Sequence, residues 1–406
     1  MKSKSLIAWL IWMGITDSED SMIPYGKQEI TQEDIDSVVN VLKSDFITQG
    51  PAVEGFEQSL QDYCGIEFAL AVNSATSALH IACLALGLGE GDWLWTSPNT
   101  FVASANCALY CGASIDFVDI DNRSYNMSIE CLKEKLIIAD REGKLPKIVV
   151  PVHFAGQSCD MQEIHSLSVK YGFKVIEDAS HAIGGRYMES PVGNCQFSDI
   201  TVFSFHPVKI ITTGEGGIAV TKDKGLYDKM LRLRSHGVTR DCEQMTGDAH
   251  GPWYYEQIDL GYNYRMTDIQ AALGISQMHR LDSYIKKRHQ LKENYVESLE
   301  SLPLILPYQT PESYSSLHLY PVQIDINEKK MSRRIVFEKM RELGVGVNVH
   351  YIPVHIQPYY KQFGFQEKDF PNAYKYYLRT ISLPLYSSLK SDEQLTVVKS
   401  LEKVLL

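Results

Sequence analysis

The chain has 406 residues, with a hydrophobic fraction of 44% and a charged fraction of 22%. That is the balance of a soluble globular protein with enough chain for two or three structural units and a large core. A formal net charge of -11 excludes a nucleic-acid partner, because phosphate backbones are bound by basic surfaces, so any anionic ligand must be held locally. Eight cysteines without a Cys-x-x-Cys pair predict reduced thiols, a cytoplasmic location and no metal site.

Met1 to Ser21 reads as an extension. Lys2 and Lys4 precede the apolar run Leu6 to Ile15, and an acidic stretch follows. The run is too short to cross a bilayer as a helix, and no small-residue cleavage site precedes the acidic patch. The large unit is therefore expected over residues 22–266, a connecting helix over 267–300 and a small C-terminal unit over 301–406.

Thr31 to Leu42 carries an N-cap, an acidic first turn and one apolar face, which predict a helix. A polar loop from Ser44 to Pro51 follows, then a helix over Val53 to Tyr63. Phe68 to Val72 is a short strand, and the spacing Leu79, Ala82, Cys83, Leu86 predicts a helix starting near Thr76. A strand running straight into a helix N-terminus can bind an anion, since free N–H groups and the helix dipole favour negative charge and Thr76 adds a hydroxyl. Read alone, the same residues are better taken as a plain Ser/Thr cap. Gly87 to Gly91 lacks the third spaced glycine of a dinucleotide loop and reads as a turn.

Further strands are expected at Trp93 to Thr96, Ile115 to Ile120, Ile148 to Val152, Lys174 to Ile176, Ile200 to Phe205 and Ile218 to Thr221. Helices are expected from Phe101 through Leu109 and over Gln162 to Tyr171. Cys107 and Cys111, one helical turn apart, read as small core residues. The alternation predicts an α/β fold, a mainly parallel sheet with helices on both faces and ligands at the strand carboxyl ends. Arg232 to Gly261 is an irregular excursion of the kind kept for function or contacts. Thr267-Asp268-Ile269-Gln270 is a capping box for a helix running to Leu299. Beyond it come a strand (Leu319 to Ile324), a helix (Met331 to Leu343), a strand (Val345 to Tyr351), a helix (Asn372 to Thr380), a further strand and a last helix (Asp392 to Leu405).

Two residues carry the chemistry. Lys209 leaves an apolar strand and enters a Gly-rich turn, where its amine can be desolvated and form a Schiff base. Asp178 ends the buried run Val175-Ile176-Glu177-Asp178. A lysine and a strand-end carboxylate together suggest pyridoxal phosphate, which needs an amine to hold it and a partner for its pyridinium nitrogen. Taken singly, Lys209 is better read as a solvated turn lysine and Asp178 as a helix cap; together they carry more weight.

Gly50-Pro51, Ser74-Ala75-Thr76, Glu177 to His181, Ser204 to Lys209, Gly214 to Gly217 and Gly261-Tyr262-Asn263-Tyr264-Arg265-Met266 resemble, in that order, the DegT/DnrJ/StrS family of nucleotide-sugar aminotransferases. The resemblance runs from Ile23 to the C-terminus. It implies the fold type I, aspartate aminotransferase-like architecture and pyridoxal 5'-phosphate bound to Lys209, with Asp178 on the ring nitrogen and His181 beside the ring. Ala75, Thr76 and Ser204 would hold the phosphate, Phe101 would cover one ring face, and Asn263 would reach the phosphate from a second subunit of a homodimer. Tyr25, Asp45, Phe46, Ile47 and Thr48, with His350 and Tyr351, would line the substrate cleft; on spacing alone Asp45 to Thr48 is as readily a surface loop. The family usually has glycine where Ala75 stands, and many members have Gln where His181 stands. A dehydratase on this scaffold would replace Lys209 with histidine. Tyr25-Gly26, Asn73 to Leu79 and Phe203 to Lys209 resemble the branch that moves an amino group from L-glutamate to C4 of a UDP-linked 6-deoxy-4-ketosugar for pseudaminic acid type sugars.

Overall fold

The computed structural model describes residues 22–325 and 332–406; the expected extension 1–21 and Met331 lie outside them. The first strands are β1 (Phe68–Val72), β2 (Trp93–Thr96), β3 (Ser114–Phe117), β4 (Ile148–Val150) and β5 (Lys174–Asp178). A short hairpin, β6 (Arg186–Tyr187) and β7 (Ser190–Pro191), precedes β8 (Ile200–Ser204) and β9 (Gly217–Thr221). Seven of these form one sheet in the order β1-β9-β8-β5-β4-β2-β3. From β8 to β3 every neighbouring pair is parallel, and β9 lies antiparallel to both β8 and β1.

The near-continuous apolar strands follow from cover on both faces. Side chains alternate along each strand, so Leu70, Val72, Ile148, Val150, Ile176, Ile200 and Val202 pack against Leu79 and Ile81 of the helix Ala75–Ala85 and Ala105 and Ala108 of the helix Ala103–Tyr110. The intervening Ala69, Ala71 and Phe203 meet Phe56 and Leu60 of the helix Pro51–Cys64. Val149 and Val175 meet Leu132, Leu136, Ile164 and Leu167 of the helices Ile129–Glu142 and Met161–Tyr171. The same alternation sends Asp178 and Ser204, two residues beyond Ile176 and Val202, to the face covered by Ala75–Ala85 and Ala103–Tyr110, at the carboxyl ends of adjacent strands.

A second core forms around Tyr295, Tyr320, Val336, Ile381 and Leu401. It gathers a three-stranded sheet (Leu304–Ile305, Tyr320–Ile324, Thr380–Leu383) and the helices Leu281–Leu299, Arg333–Glu342 and Ser391–Leu405. The segment around Ile23 and Tyr25 is tied to this unit, with Ile23 N–H donating to Gly344 O at 2.9 Å and Leu385 N–H to Tyr25 O at 3.1 Å.

Three local expectations are corrected. The helix expected from Thr267 to Leu299 is two helices, Asp268–Met278 and Leu281–Leu299. At the break, Arg280 turns its guanidinium onto the buried Asp34, with Nη2 2.7 Å from both carboxylate oxygens. The strand expected over Val345 to Tyr351 is irregular, paired only at Val345 with Ile23 and at Asn348 with Ser382. Helices Ile129–Glu142 and Lys224–Arg234 were not anticipated; Ser128 and Asp223 cap them. No helix of the described residues is long and apolar enough to cross a membrane.

The capping box at Thr267 and Gln270 is present, and Asp268 does more than open its own helix. One of its carboxylate oxygens accepts from Gly50 N–H at 2.6 Å, the other from Ala52 N–H at 2.8 Å and Val53 N–H at 3.2 Å. These are the otherwise unpaired donors at the start of Pro51–Cys64. Replacing Asp268 with Ala should cost about 2 kcal/mol, as for loss of a buried cap, seen as a lower midpoint of denaturant unfolding. An unchanged midpoint would contradict this capping role.

Candidate active site

Lys209 sits in the excursion between β8 and β9. Its neck is closed by Phe205 N–H donating to Gly216 O at 2.9 Å and Thr213 N–H donating to Phe205 O at 3.0 Å. Inside it, Ile210 and Ile211 are buried and Gly214 takes a φ of 81°, a conformation glycine adopts without strain. The lysine is thereby fixed at the carboxyl edge of the sheet. Its Nζ makes no hydrogen bond or ion pair with any described residue. Burial pulls the amine down to about 8, with the negative charge of Asp178 acting in the opposite direction.

Asp178 is 4% exposed. Its Oδ2 accepts from Ser104 Oγ at 2.6 Å and its Oδ1 from Ser180 N–H at 3.1 Å. Both oxygens are thus supplied with donors other than Lys209, which suits a carboxylate required to remain an acceptor. Ser104 was not identifiable from the sequence, since its partner is 74 positions away. Glu177, one residue back, faces the other side of the sheet. Burial raises its pKa, but His153, Ser198 and Thr201 outweigh that and hold the carboxyl below its usual range. Alternation along β5 thus separates a structural carboxylate from a candidate catalytic one.

The helix Ala75–Ala85 begins one residue earlier than expected. Its cap, Ser74, accepts from Ser77 N–H at 3.1 Å, so the N–H groups of Ala75 and Thr76 have no partner within the helix. Gly217, the first residue of β9, packs against this N-terminus. A Cβ there would lie 2.4 Å from Ala75 N, so only glycine allows the approach. The hydroxyls of Thr76 and Ser204 make no hydrogen bond to a described residue. Together these groups form a set of donors for a phosphate.

His181 is 6% exposed. Its Nδ1 accepts from Ala155 N–H at 3.2 Å, and its Nε2 lies 3.0 Å from Tyr351 Oη. Burial, reinforced by the charge of Lys209, holds it far below the ordinary histidine range. Phe101 is 60% exposed, its ring centroid 6.4 Å from that of Tyr351. Tyr25 and His350 stand with centroids 5.2 Å apart, and His350 Nδ1 pairs with Ser382 Oγ at 2.8 Å. Lys209, Asp178, His181 and Tyr351 are thus linked by bonds or mutual fields. Asp45, Phe46, Ile47 and Thr48 are exposed, and no hydrogen bond joins them to these residues. Asn263 is likewise exposed, and its carbonyl accepts from Asn73 Nδ2 at 3.4 Å.

Residues 28–402 match the model of the DegT/DnrJ/EryC1/StrS aminotransferase family. The chain belongs to that family. It is 39% identical over 393 residues to the spore coat polysaccharide biosynthesis protein SpsC of Bacillus subtilis, covering 96% of this chain and 99% of that one. It is 37% identical to the UDP-4-amino-4,6-dideoxy-N-acetyl-beta-L-altrosamine transaminase of Campylobacter jejuni serotype O:2, covering 95% and 98%. Among solved structures, Helicobacter pylori PseC, an aminotransferase involved in the biosynthesis of pseudoaminic acid, superposes with a TM-score of 0.86 at 30% identity, covering 95% of this chain and 99% of that one. The fold is therefore that of the pyridoxal phosphate-dependent aminotransferases, and pyridoxal phosphate is the cofactor. The residues present fit it: an amine without a partner, a buried carboxylate beside it, and a glycine-lined helix N-terminus with two free hydroxyls.

An amine captures an aldehyde only when unprotonated. Because Lys209 is shifted from 10.5 to about 8, its neutral fraction rises as pH passes through that value. The rate of cofactor capture by cofactor-free protein, followed by visible absorbance, should rise with pH and level off above an inflection near 8. An inflection at the ordinary lysine value would show that the amine is solvated.

Proposed function

We propose that this enzyme transfers the amino group of L-glutamate to C4 of a UDP-linked 2-acetamido-2,6-dideoxy-4-ketohexose of the L-arabino type. The products are UDP-4-amino-4,6-dideoxy-N-acetyl-beta-L-altrosamine and 2-oxoglutarate. The observation that carries the reaction class is the pairing of a partner-free, desolvated Lys209 amine with a buried Asp178 already held by Ser104 and Ser180. The 37% identity to the Campylobacter transaminase over nearly the whole of both chains supports the sugar.

Bound here, pyridoxal phosphate supplies an electron sink that lowers the cost of removing a proton from the carbon bearing the nitrogen. Lys209 would hold the cofactor through its amine and stand beside that carbon. A lysine shifted towards neutrality can accept the proton there and return it to the neighbouring carbon. Asp178 accepts a hydrogen bond from the ring nitrogen and keeps it protonated, with Ser104 preventing the carboxylate from turning away. Thr76, Ser204 and the N–H groups of Ala75 and Thr76 bind the phosphate, and Phe101 lies against the ring. Asn263 completes the phosphate site from the second copy of a homodimer. Tyr25, His350 and Tyr351, with Asp45 to Thr48, would line the sugar side of the cleft. Another nucleotide-linked 3- or 4-ketosugar is the second reading, favoured by the 39% identity to the spore coat polysaccharide protein.

Lys209 and Asp178 act on any ketone that reaches them, so selection rests on hydrogen bonds to sugar hydroxyls, where a wrong epimer leaves buried polar groups unpaired. The test offers the L-arabino and D-xylo 4-ketosugars with glutamate and reads product mass and carbon NMR. The L-arabino epimer should be aminated at C4 with at least tenfold higher kcat/KM. Preference for the D-xylo epimer, or amination at C3, would overturn the sugar assignment and leave the aminotransferase assignment standing.

A further inference from the structure

His181 has both ring nitrogens committed, and the two bonds together fix where its proton lies. Ala155 N–H donates to Nδ1, so Nδ1 carries no hydrogen and the proton of the neutral ring is on Nε2. Nε2 therefore donates to Tyr351 Oη, 3.0 Å away. The phenolic hydrogen of Tyr351 cannot return to His181, and the Tyr351 hydroxyl has no other partner among the described residues. That hydrogen is left to point away from His181.

The surroundings prevent the histidine from changing role. Ser316 Oγ donates to His181 O at 2.7 Å. The ring of His318 lies with its centroid 4.4 Å from that of His181. The backbone around His318 is gripped in turn by the buried Arg288, whose Nη1 donates to Leu317 O at 3.1 Å, His318 O at 3.3 Å and Leu385 O at 2.8 Å. An imidazolium would put an N–H against Ala155 N–H, and the charge of Lys209 also opposes it. Burial raises the phenol of Tyr351 and keeps it protonated. Its ring is half-buried, with centroids 6.2 Å from Phe154 and 6.4 Å from the exposed Phe101, so it borders the cleft that Lys209 and Asp178 face.

We propose that Tyr351 is a dedicated hydrogen-bond donor to an oxygen of the molecule bound in this cleft, and that His181 is the positioning residue that aims it by occupying its lone pair. The acceptor is an oxygen on the cofactor ring or a hydroxyl or carbonyl oxygen of the sugar. This deepens the proposed function and rests on it for the identity of the sugar, but the orientation of His181 and Tyr351 rests on the chain alone.

Two measurements test it. Nitrogen-15 NMR of the histidine-labelled, unsubstituted chain, with His181 assigned through a His181→Gln variant, should show Nε2 protonated and Nδ1 bare between about pH 6 and 8. An Nδ1–H tautomer or an imidazolium in that range overturns the proposal whatever the substrate. The second measurement uses Tyr351→Phe, cofactor-loaded and assayed with glutamate and the ketosugar that the unsubstituted enzyme aminates. The expected result is a tenfold to hundredfold loss of kcat/KM. A shifted absorbance maximum of the bound cofactor marks a cofactor oxygen as acceptor, and a raised KM with unchanged absorbance marks a sugar oxygen. A kcat/KM within twofold of the unsubstituted enzyme, with unchanged absorbance, overturns it. If the unsubstituted enzyme aminates no ketosugar, the proposed function fails, while the nitrogen-15 result and the cofactor absorbance of Tyr351→Phe still decide the role of Tyr351.

Discussion

The site depends on keeping a lysine and an aspartate within each other's field without allowing them to form an ion pair. A contact pair would stabilise the ammonium and keep Lys209 charged at neutral pH. Ser104 and Ser180 occupy the oxygens of Asp178 instead, and burial of the amine outweighs the remaining attraction. The amine is thereby left without a contact partner and nearer its neutral form than a solvated lysine, as the proposed roles of nucleophile and base require.

That separation is a product of the sheet. β5 and β8 are parallel neighbours with Asp178 opposite Val202, so their carboxyl ends bring Asp178 and the residues after Ser204 to one edge. The strand period of two puts Glu177 and Asp178 on opposite faces, each with its own set of partners. Strand β9 runs back from the Lys209 turn and touches the N-terminus of Ala75–Ala85 through Gly217. The lysine, the carboxylate and the amides at that N-terminus are thus held by three adjacent strands and one helix, closely packed elements with little freedom to relax. His318 packs its ring on that of His181, and Tyr351 lies 3.0 Å from its Nε2, while the Ala155 N–H occupies its Nδ1.

Much of this was legible in the sequence because it is local. Strand-end Asp178, turn-borne Lys209 and the strand-to-helix step at Ser74 each announce themselves within a few residues, and β1 and β2 span the residues that apolar runs indicated. What escaped was tertiary. Nothing near Ser104 reveals that it will hold Asp178, and Arg288 gives no hint that it will grip the backbone around His318. The apolar alternation of Val345 and Val347 suggested a strand, but Thr380–Leu383 already pairs along Tyr320–Ile324, leaving the segment single contacts at Ile23 and Ser382. The break at Arg280 is likewise set by Asp34, on a distant helix. By contrast, Ile129–Glu142 carries local signals in its cap Ser128 and in Leu132, Leu136 and Ala139, which share its buried face.

The proposed chemistry requires Lys209, and no other lysine, to be the amine that holds the cofactor. The most direct measurement is borohydride reduction of the protein after incubation with pyridoxal phosphate, followed by mass mapping of its peptides. A single stoichiometric pyridoxyl addition on the peptide containing Lys209 is expected. Addition at a different lysine, or none at saturating cofactor, would contradict it.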